Sequence, residues 1–503
     1  MSNVAIILGA GSGTRMKSEK NKMLLDICGK TVIERSVENF LNLSDVDEII
    51  VTVRDQDVDE FSKLLTDERI SFVIGGSTRQ QSVKNAIETI DDAELVIIHD
   101  GARPLVLEED IDSTIKAAYE FGSAALAVPV KDTVKVVDKN GKELPSQIIA
   151  KQGKELTVVF IASVESVGFK AYDIRVADKK YDGKTDLKVT EHSLENSKYR
   201  ILFNRNGDIG SIVDKELKVQ LLSSPIKLAA QHNLGALNYP SWELRKADLD
   251  STPYGYANTP SFEIIENGPA RIAVKVSRHI EHSKIEQVIS LESGGEFIRV
   301  DNYIDWQERR SLLKAQFPFT CGNESASYDL GLGYIKRGNN TNNLYEVPAQ
   351  KWADITDEFE RYGVSVFSDC KYGWDKPEDN ILRLTCIHTP AGAFTKDARQ
   401  DLQDIGRNIF SFGIYSHRGK LASGTQNEAE AFNKGLVAFQ TSARGDGSLK
   451  DSVSLLSISS GCVLVRAIKK AEDGDGVIVR VNEAIGKEHK GIKITTPFEI
   501  TAA

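Results

Sequence analysis

The first third of the chain alternates short apolar runs with amphipathic stretches. Apolar runs bounded by turn residues are typical of buried parallel strands. They predict strands at residues 4–8, 47–53, 70–74, 94–98 and 123–130. Apolar positions at helical spacing predict helices at 31–42, 56–66, 78–90 and 108–120. Strands that alternate with helices in this way predict a doubly wound, Rossmann-like α/β module with a parallel sheet.

From Lys139 onward the pattern changes to alternating apolar and polar positions, broken by Asn-Gly and Gly-Gly turns. Strands at hairpin spacing with few helices predict an all-β sandwich region. Residues 139–503 exceed the usual size of one sandwich, so more than one β domain is expected there. The chain is therefore predicted to be multidomain, with an α/β module at 1–138 and a boundary in the turn at 138–141.

Composition narrows the class of protein only slightly. The 503 residues are 41% hydrophobic and 27% charged, which is typical of a soluble globular protein. A net charge of −10 argues against a nucleic-acid partner. Five cysteines without CxxC spacing favour a reducing compartment without disulfides or a zinc ribbon. With no apparent signal peptide or membrane span, a cytoplasmic location without a membrane partner is expected.

Candidate chemistry begins directly after the first predicted strand. Gly9, Gly11 and Gly13 alternate there, so backbone N–H groups can turn toward one point and bind phosphate. Arg15 and Lys22 add positive charge beside this loop. The loop matches neither the dinucleotide fingerprint nor a Walker A motif. The combination suits a nucleoside triphosphate attacked at its α-phosphorus, and a glycine-rich turn with two solvated cations is the alternative.

A second polar segment, residues 75–82, follows the third predicted strand. Ser77 or Thr78 can cap the helix that starts there. Arg79 and Ser82 then lie near a helix N-terminus, which predicts an anion site.

Asp100 follows the fourth predicted strand and is placed like a metal-binding carboxylate. In doubly wound sheets the carboxyl ends of the strands are where ligands bind. A turn-forming Asp before Gly101 is the alternative interpretation.

Four ordered motifs in this module are GAGSGTRMKSEKNK, GGSTRQQSV, HDGARPL and VPVKDTVK. Over residues 1–138 the chain resembles the 2-C-methyl-D-erythritol 4-phosphate cytidylyltransferase family of isoprenoid biosynthesis, including its ribitol-phosphate relatives. The resemblance implies CTP as the nucleotide substrate with Mg²⁺ as cofactor, and a sugar or polyol phosphate as the acceptor. It also makes a homo-oligomer one expected state of the protein. Asn21 departs from the Pro common before the lysine, and Met23-Leu24 replace the usual Gln-aromatic pair.

The same resemblance implies roles for individual residues. Arg15 and Lys22 would be catalytic, and Asp100 would lie by the ribose and Mg²⁺. The nucleotide would be bound by Ala10, Gly11, Gly13, Gly76, Ser77, Ser82 and Asp100, and the acceptor phosphate by Arg103 and Thr133. The family's dimerisation arm and later segments do not follow Val137, so the module is expected to be truncated.

A second set of motifs includes GKELPSQ, NGDIGSI, LKAQFPF, EVPAQKWAD and YGVSVFSDCKYGWD. Over residues 139–503 these resemble the C-terminal β-sandwich half of family 38 α-mannosidases. In that family the zinc ligands and nucleophile lie in a preceding (β/α) barrel, so neither zinc nor glycoside hydrolysis is expected from this chain alone. The alternatives are a carbohydrate-binding or structural protein, with mannose-containing glycans as partners, or a mannosidase component that needs a separate barrel.

Other polar and aromatic groups of the β region carry less weight. His279 and His282 lie three apart, so on a strand they face opposite sides and cannot easily share one ion. Asp301 and neighbouring acids are interpreted as a solvated ion-pair network that includes Lys314. Trp374 is the aromatic residue chosen as the best exposed candidate for stacking on a sugar ring.

Overall fold

The computed structural model describes residues 2–11, 21–126, 134–153, 155–177, 179–234, 239–391, 400–421, 423–441 and 450–497. The chain divides into two compact units, Met1–Val130 and Lys131–Ala503. The first is an α/β unit with a parallel sheet and the second is built mostly of antiparallel sheets, which confirms the predicted fold class.

The elements of the first unit are β1 Asn3–Leu8, β2 Asp26–Ile27, β3 Lys30–Thr31, α1 Val32–Leu41, β4 Glu48–Val53, α2 Val58–Leu64, β5 Ile70–Ile74, α3 Arg79–Ile87, β6 Leu95–Asp100 and α4 Glu108–Phe121. Four strands form a parallel sheet in the order β5-β4-β1-β6, and β2 pairs with β3 as a small hairpin. Strand β1 lies between β4 and β6, so the connections diverge at its carboxyl end. Ligands bind at such a switch point in doubly wound sheets.

Both faces of the sheet are covered at β1, as the continuous apolar sequence of this strand requires. Val4, Ala5, Ile6 and Ile7 have no exposed surface. Ala5 and Ile7 belong to the core shared with α1, α2 and α4, whereas Val4 and Ile6 pack with Ala86 of α3. Because successive side chains of a strand point to opposite faces, one apolar run fills two cores.

Four predicted strands and all four predicted helices of this unit are present within a few residues of their expected bounds. The fifth predicted strand, 123–130, differs. Residues 123–126 form no strand, and the rest of that prediction lies outside the described residues.

The first strands of the second unit are β7 Val134–Val137, β8 Glu143–Leu144, β9 Ser146–Gln152, β10 Glu155–Phe160, β11 Gly168–Lys170, β12 Asp173–Val176, β13 Lys188–Thr190, β14 Ser193–Glu195, β15 Tyr199–Phe203, β16 Ile209–Asp214 and β17 Val219–Gln220. They are followed by β18 Lys227–His232, α5 Lys246–Leu249, β19 Gly255–Tyr256, β20 Asn258–Asn267, β21 Arg271–Ile280, β22 Ser283–Glu292, β23 Ile298–Trp306, β24 Ser311–Pro318, β25 Ser325–Asp329, β26 Tyr334–Gly338 and β27 Val347–Pro348. The last are β28 Trp352–Thr356, β29 Tyr362–Ser368, β30 Gly373–Glu378, β31 Ile381–Thr389, β32 Gly406–Arg418, α6 Ser423–Asn433, β33 Ser452–Ser454, β34 Ser457–Ile458, β35 Val463–Lys470, β36 Val477–Glu483 and β37 Ile494–Thr495.

Two large antiparallel sheets dominate this unit. One has nine strands in the order β20-β21-β22-β23-β32-β29-β28-β25-β26, and the other has six in the order β19-β18-β24-β31-β30-β27. Their inner faces share one apolar core, in which Phe317 of β24 packs edge-on against Phe412 of β32 with ring centroids 5.2 Å apart. This is the sandwich arrangement that the alternating sequence predicts.

The segment that joins the two sequence patterns folds with the second unit. Strand β7, residues 134–137, pairs with β12 and β8, and the turn after it closes through a hydrogen bond from the Asp138 N–H to the Lys142 carbonyl. The sequence places residues 134–138 in the first module because an apolar run alone does not show which strand it pairs with.

In the part of the chain that the structure describes, no helix has the length and apolar character needed to cross a membrane.

Candidate active site

The loop after β1 brings backbone donors to the switch point of the sheet. Gly9 is not one of them, because its N–H donates to the Thr52 carbonyl over 2.9 Å. A Cβ at Gly9 would lie only 2.8 Å from that oxygen, so this glycine is explained by packing alone. The N–H groups of Ala10 and Gly11, by contrast, have no hydrogen-bond partner among the described residues.

Lys22 lies beside this loop. A Cβ on Gly11 would be 3.7 Å from the Lys22 Cε and 4.0 Å from its Nζ. The free backbone donors and the ammonium group therefore occupy one neighbourhood. Positive charge next to unpaired N–H groups is what a phosphate group requires.

A buried hydrogen-bond network holds Lys22 in this position. Lys22 begins a short 3₁₀ turn, and the Asn21 side chain caps it by accepting from the Met23 N–H. Asn21 Nδ2 donates to Asp57 Oδ2 over 2.7 Å, and Arg54 Nε donates to the same oxygen over 2.6 Å. Asn21 and Asp57 are only 6% and 7% exposed. The sequence predicts Lys22 but not this support, because Asp57 lies 36 residues from Asn21 and neither position carries a motif.

The loop after β5 packs directly against the loop after β1. A Cβ on Gly75 would lie 2.3 Å from the Ala10 Cβ and 2.9 Å from the Ser82 hydroxyl oxygen, so only glycine fits here. Ser82 is buried, accepts from the Gly76 N–H over 3.0 Å and donates to the Thr78 carbonyl over 3.1 Å. The Ser82 hydroxyl therefore fixes the Gly75–Gly76 loop through its hydrogen bond with the Gly76 N–H. Thr78, rather than Ser77, caps α3.

Asp100 ends β6 on the other side of the switch point. Its two carboxylate oxygens each face an arginine, with Arg79 Nε at 3.0 Å and Arg103 Nε at 3.3 Å. The arginine side chains are 63% and 75% exposed. Exposed ion pairs contribute about 0–1 kcal/mol, so an anionic ligand can recruit either arginine at little cost.

His99 next to Asp100 has a different environment. Burial lowers its pKa, and its Nε2 lies 3.2 Å from the Arg103 carbonyl oxygen. His99 therefore helps to position the Arg103 backbone as a neutral side chain.

The structure places the following predicted residues at the carboxyl edge of one sheet, on loops, strand ends and a helix start: Ala10, Gly11, Lys22, Gly76, Ser77, Ser82, Asp100 and Arg103. Gly13, Arg15 and Thr133 lie outside the described residues. Asp100 is a carboxylate at this edge, and the described part of the chain contains no group of three or more His, Cys, Asp or Glu that could hold a metal. A single carboxylate fits the mode in which Mg²⁺ is bound mainly by substrate phosphates and water.

Two interpretations of the second unit are wrong. Trp374 is fully buried, so it is not an exposed platform for a sugar ring. Lys314 is also fully buried, and its Nζ pairs with Asp375 and Glu346 at 2.7 Å each, instead of joining a solvated network near Asp301. Arg383 shares Asp375 with Lys314. Burial alone would raise the pKa of Asp375, but these two cations outweigh it and lower the pKa.

Comparison with protein families divides the chain in the same way as its sequence patterns. Residues 3–152 match the family model of 2-C-methyl-D-erythritol 4-phosphate cytidylyltransferase, and residues 194–392 match the C-terminal domain of glycosyl hydrolases family 38. The chain therefore joins an N-terminal region similar to the cytidylyltransferase family to a region similar to the C-terminal domain of family 38. Residues 134–152 match the first model, yet they form β7, β8 and β9 within the second unit.

Individual relatives agree with this division. A 2-C-methyl-D-erythritol 4-phosphate cytidylyltransferase of Clostridium tetani is 38% identical over 141 residues, which cover 27% of this chain and 57% of the relative. Alpha-mannosidase G of Dictyostelium discoideum is 25% identical over 324 residues, which cover 62% of this chain and 28% of the relative. A crystal structure of a family 38 protein from Enterococcus faecalis matches this chain with a TM-score of 0.62 and 16% sequence identity. The match covers 76% of this chain and 50% of the other chain, and at this identity it supports the fold alone.

Proposed function

We propose that the N-terminal part of this two-domain chain, residues 1–138, binds CTP and transfers its cytidylyl group to the phosphate of a sugar or polyol. The observation that carries the proposal is the meeting of two loops at the switch point, where the Ala10 methyl fills the space left by Gly75 and Lys22 lies beside Gly11. The names of the relatives indicate 2-C-methyl-D-erythritol 4-phosphate as the acceptor. This chain spans little more than half of that relative, so the activity is a proposal for the chain as it stands.

The reaction follows from the charges at this edge. The free N–H groups of Ala10 and Gly11 hold the triphosphate, with Gly13 extending the same loop. An oxygen of the acceptor phosphate attacks the α-phosphorus, a new P–O bond forms, and the bond to the bridging oxygen breaks so that pyrophosphate leaves. Lys22 and Arg15 stabilise the negative charge that develops on the transferred phosphoryl group.

The remaining residues bind the two substrates. Gly76 and Ser77 face the cytosine, and Ser82 keeps their loop in place. Asp100 would lie by the ribose and would be the residue that holds Mg²⁺, which would supply further charge neutralisation when bound. Arg103 and Thr133 bind the acceptor phosphate, which can take Arg103 from its exposed pair with Asp100.

For residues 139–503 we propose a non-catalytic region with mannose-containing glycans as partners and no zinc. The match to the C-terminal domain of family 38 supports this, since the resemblance assigns the zinc ligands to a preceding barrel. A mannosidase component that joins a separate barrel is the second candidate. A cytoplasmic location and the absence of nucleic-acid and membrane partners stay predictions. Release of nitrophenol from p-nitrophenyl α-mannoside by the purified chain alone would contradict the non-catalytic assignment.

Pyrophosphate release tests the transfer reaction. The full chain is incubated with CTP, Mg²⁺ and 2-C-methyl-D-erythritol 4-phosphate, and release is expected to depend on all three. Lys22→Ala should abolish release, because its ammonium is the cation next to the loop. Lys63→Ala, an exposed lysine on α2, is the matched control. Equal release by both variants would refute the assigned site.

A further inference from the structure

An open cleft of about 530 Å³ lies at one end of the sandwich in the second unit. It is lined by Asp329, Leu330, Pro348, Ala349, Gln350, Lys351, Asp369, Tyr372 and Asn433, and is called the Asp369 cleft below. Its volume falls in the range of small-ligand sites. Neither the transfer reaction nor the buried ion pairs described above use any of these residues.

The cleft is held in shape by its own backbone. Asp329, which is 3% exposed, accepts from the Gly331 N–H and the Lys351 N–H through its two oxygens, at 2.8 and 2.9 Å. The Ala349 N–H donates to the Tyr372 carbonyl over 3.0 Å. Three separate loops are therefore tied together before any ligand arrives, which lowers the entropy cost of binding.

Asp369 supplies the strongest unsatisfied group in this cleft. Its Oδ2 accepts from the Ser411 N–H over 3.0 Å, but its Oδ1 is buried and has no hydrogen-bond partner. A buried acceptor without a donor costs about 1–3 kcal/mol, so a ligand that donates a hydrogen bond there is favoured. Burial raises the pKa of the adjacent Cys370 to about 11, with Asp369 adding to the shift, and its protonated thiol is only a weak donor.

The Asp369 carboxylate disfavours an anionic group next to it. Lys351 is the cation of the lining, and it is already paired with Glu430, which also holds Lys434 and Arg466. No described lysine or arginine pairs with the Asp369 carboxylate. A phosphate or carboxylate placed beside Asp369 would be repelled by its negative charge.

The lining of the cleft also includes exposed apolar surface. The Tyr372 side chain is 56% exposed and Leu330 is 48% exposed, and both line the cleft together with Pro348. A sugar ring has the matching pair of surfaces, since its C–H face packs on an aromatic ring while its hydroxyl groups donate to carboxylate and amide oxygens. Gln350 and Asn433 add amide groups at the rim.

We propose that the Asp369 cleft binds a neutral, hydroxyl-rich ring, a monosaccharide unit or a cyclic polyol, with a hydroxyl donating to Asp369 Oδ1 and the ring lying on Tyr372. This deepens the glycan partner proposed for the second unit and is independent of CTP binding.

Saturation-transfer NMR and calorimetry on the full chain test the proposal. The probes are methyl α-mannopyranoside and myo-inositol, with mannose 6-phosphate as the anionic comparison and choline as the cationic one. Saturable binding of at least one neutral probe is expected, and mannose 6-phosphate should bind more weakly than that probe because it carries a phosphate. Absence of binding by both neutral probes, or tighter binding of mannose 6-phosphate or choline than of either, would overturn it.

Three variants locate the site. Asp369→Asn keeps the size of the side chain but removes the charged acceptor, and Tyr372→Ala removes the stacking surface. Asp369→Asn should weaken binding of the neutral probe about tenfold or more, since hydrogen bonds to a charged acceptor are stronger than those to a neutral one. Tyr372→Ala should weaken binding of the same probe, since it removes the apolar surface under the ring. Trp242→Ala, which removes the 84% exposed tryptophan elsewhere on the sandwich, should leave binding unchanged. Weaker binding in Trp242→Ala together with unchanged binding in the other two variants would place the ligand at Trp242 and overturn the proposal. CTP binding is expected to be unchanged in all three variants, which would show that the first unit is intact.

Discussion

At the scale of single residues, the position of Lys22 depends on groups that never touch a substrate. Asp57 accepts from both Asn21 and Arg54, and Asn21 in turn caps the turn that begins at Lys22. Asn21 replaces a proline at a position where a fixed backbone would serve the same purpose. The buried hydrogen-bond network therefore restrains the backbone before Lys22, as the ring of a proline would restrain it at position 21.

We predict that Asp57→Asn weakens CTP binding about three- to tenfold, because one net hydrogen bond contributes about 1 kcal/mol. Asp55→Asn is the matched control, since Asp55 is exposed in the same short 3₁₀ turn. Calorimetric titration with CTP and Mg²⁺ measures both variants. The positioning role fails if Asp55→Asn has the larger effect, or if the melting temperature of the unit falls while affinity stays constant.

A second residue-scale prediction concerns His417, which is buried against Asp354 with its Nε2 2.9 Å from Oδ2. Burial alone would lower the pKa of His417, but the Asp354 carboxylate outweighs this and raises it. The stabilisation is then complete below the unfolded pKa of about 6.5 and is lost as pH rises through the folded pKa. The sandwich should therefore lose more stability between pH 6 and pH 9 than the variant His417→Gln. A steeper pH dependence in the variant would contradict this.

The positions of candidate site residues were predictable from sequence only where a local motif marks them. Lys22 and Asp100 follow recognisable strand and loop signals, whereas Asp57 acts through a contact across 36 residues. Trp374 shows the same limit, because the sequence around it predicts a turn and gives no indication that β30 buries its ring between two sheets.

At the scale of elements, two glycines in neighbouring loops serve different purposes. A Cβ on Gly11 meets nothing closer than 3.7 Å, so packing does not require glycine there. A Cβ on Gly75 would lie 2.3 Å from the Ala10 Cβ, so packing does require it. Close approach of two loops therefore explains Gly75. For Gly11, where the described neighbours leave room for a Cβ, we propose close approach of the ligand.

We predict that Gly11→Ala leaves the melting temperature almost unchanged but weakens CTP binding about tenfold or more, because a methyl group would stand between the backbone and the phosphates. Gly75→Ala should instead lower the melting temperature of the first unit by several degrees, since overpacking costs about 1–3 kcal/mol. Thermal unfolding and CTP titration on both variants separate these effects. Normal CTP affinity in Gly11→Ala would remove this loop from the site.

The elements themselves were largely predictable, because apolar runs and helical spacing are local properties. The bounds of β1, β4, β5 and β6 follow the predicted runs closely. The pairing partner of a strand is not a local property, and this explains why the sequence assigns β7 to the first module whereas the structure pairs it within the second unit. Its sequence continues the first pattern, but its hydrogen bonds go to β12, which begins 36 residues after β7 ends.

At the scale of the whole molecule, the two units should unfold separately, with the first unit melting at the lower temperature. Among the residues that the structure describes, the sheet of the first unit has four strands and ends at β6, whose Val96 and Ile98 are partly exposed, whereas the second unit is a large two-sheet sandwich. An uncovered apolar face reduces the burial that stabilises a small unit. Differential scanning calorimetry is expected to show two transitions, and a single cooperative transition would show that the units share a core.

Limited proteolysis tests the position of the boundary. The turn at 138–141 is closed by hydrogen bonds within the second unit, so it should resist cleavage. Lys131 is the single lysine or arginine between residues 117 and 134, so trypsin should leave a stable fragment that begins at Asp132. A stable fragment that begins after Lys139 or Lys142 would restore the boundary expected from the sequence.

Calorimetric titration of the full chain with CTP and Mg²⁺ tests the central claim most directly, because it needs neither the acceptor nor a complete catalytic module. Saturable CTP binding is predicted, with Lys22→Ala losing about tenfold or more in affinity, since a charged contact to phosphate is worth about 1.5–3 kcal/mol. Lys63→Ala should bind as the unmodified chain does. No CTP binding, or equal affinity of the two lysine variants, would contradict a nucleotide site at the carboxyl edge of the parallel sheet.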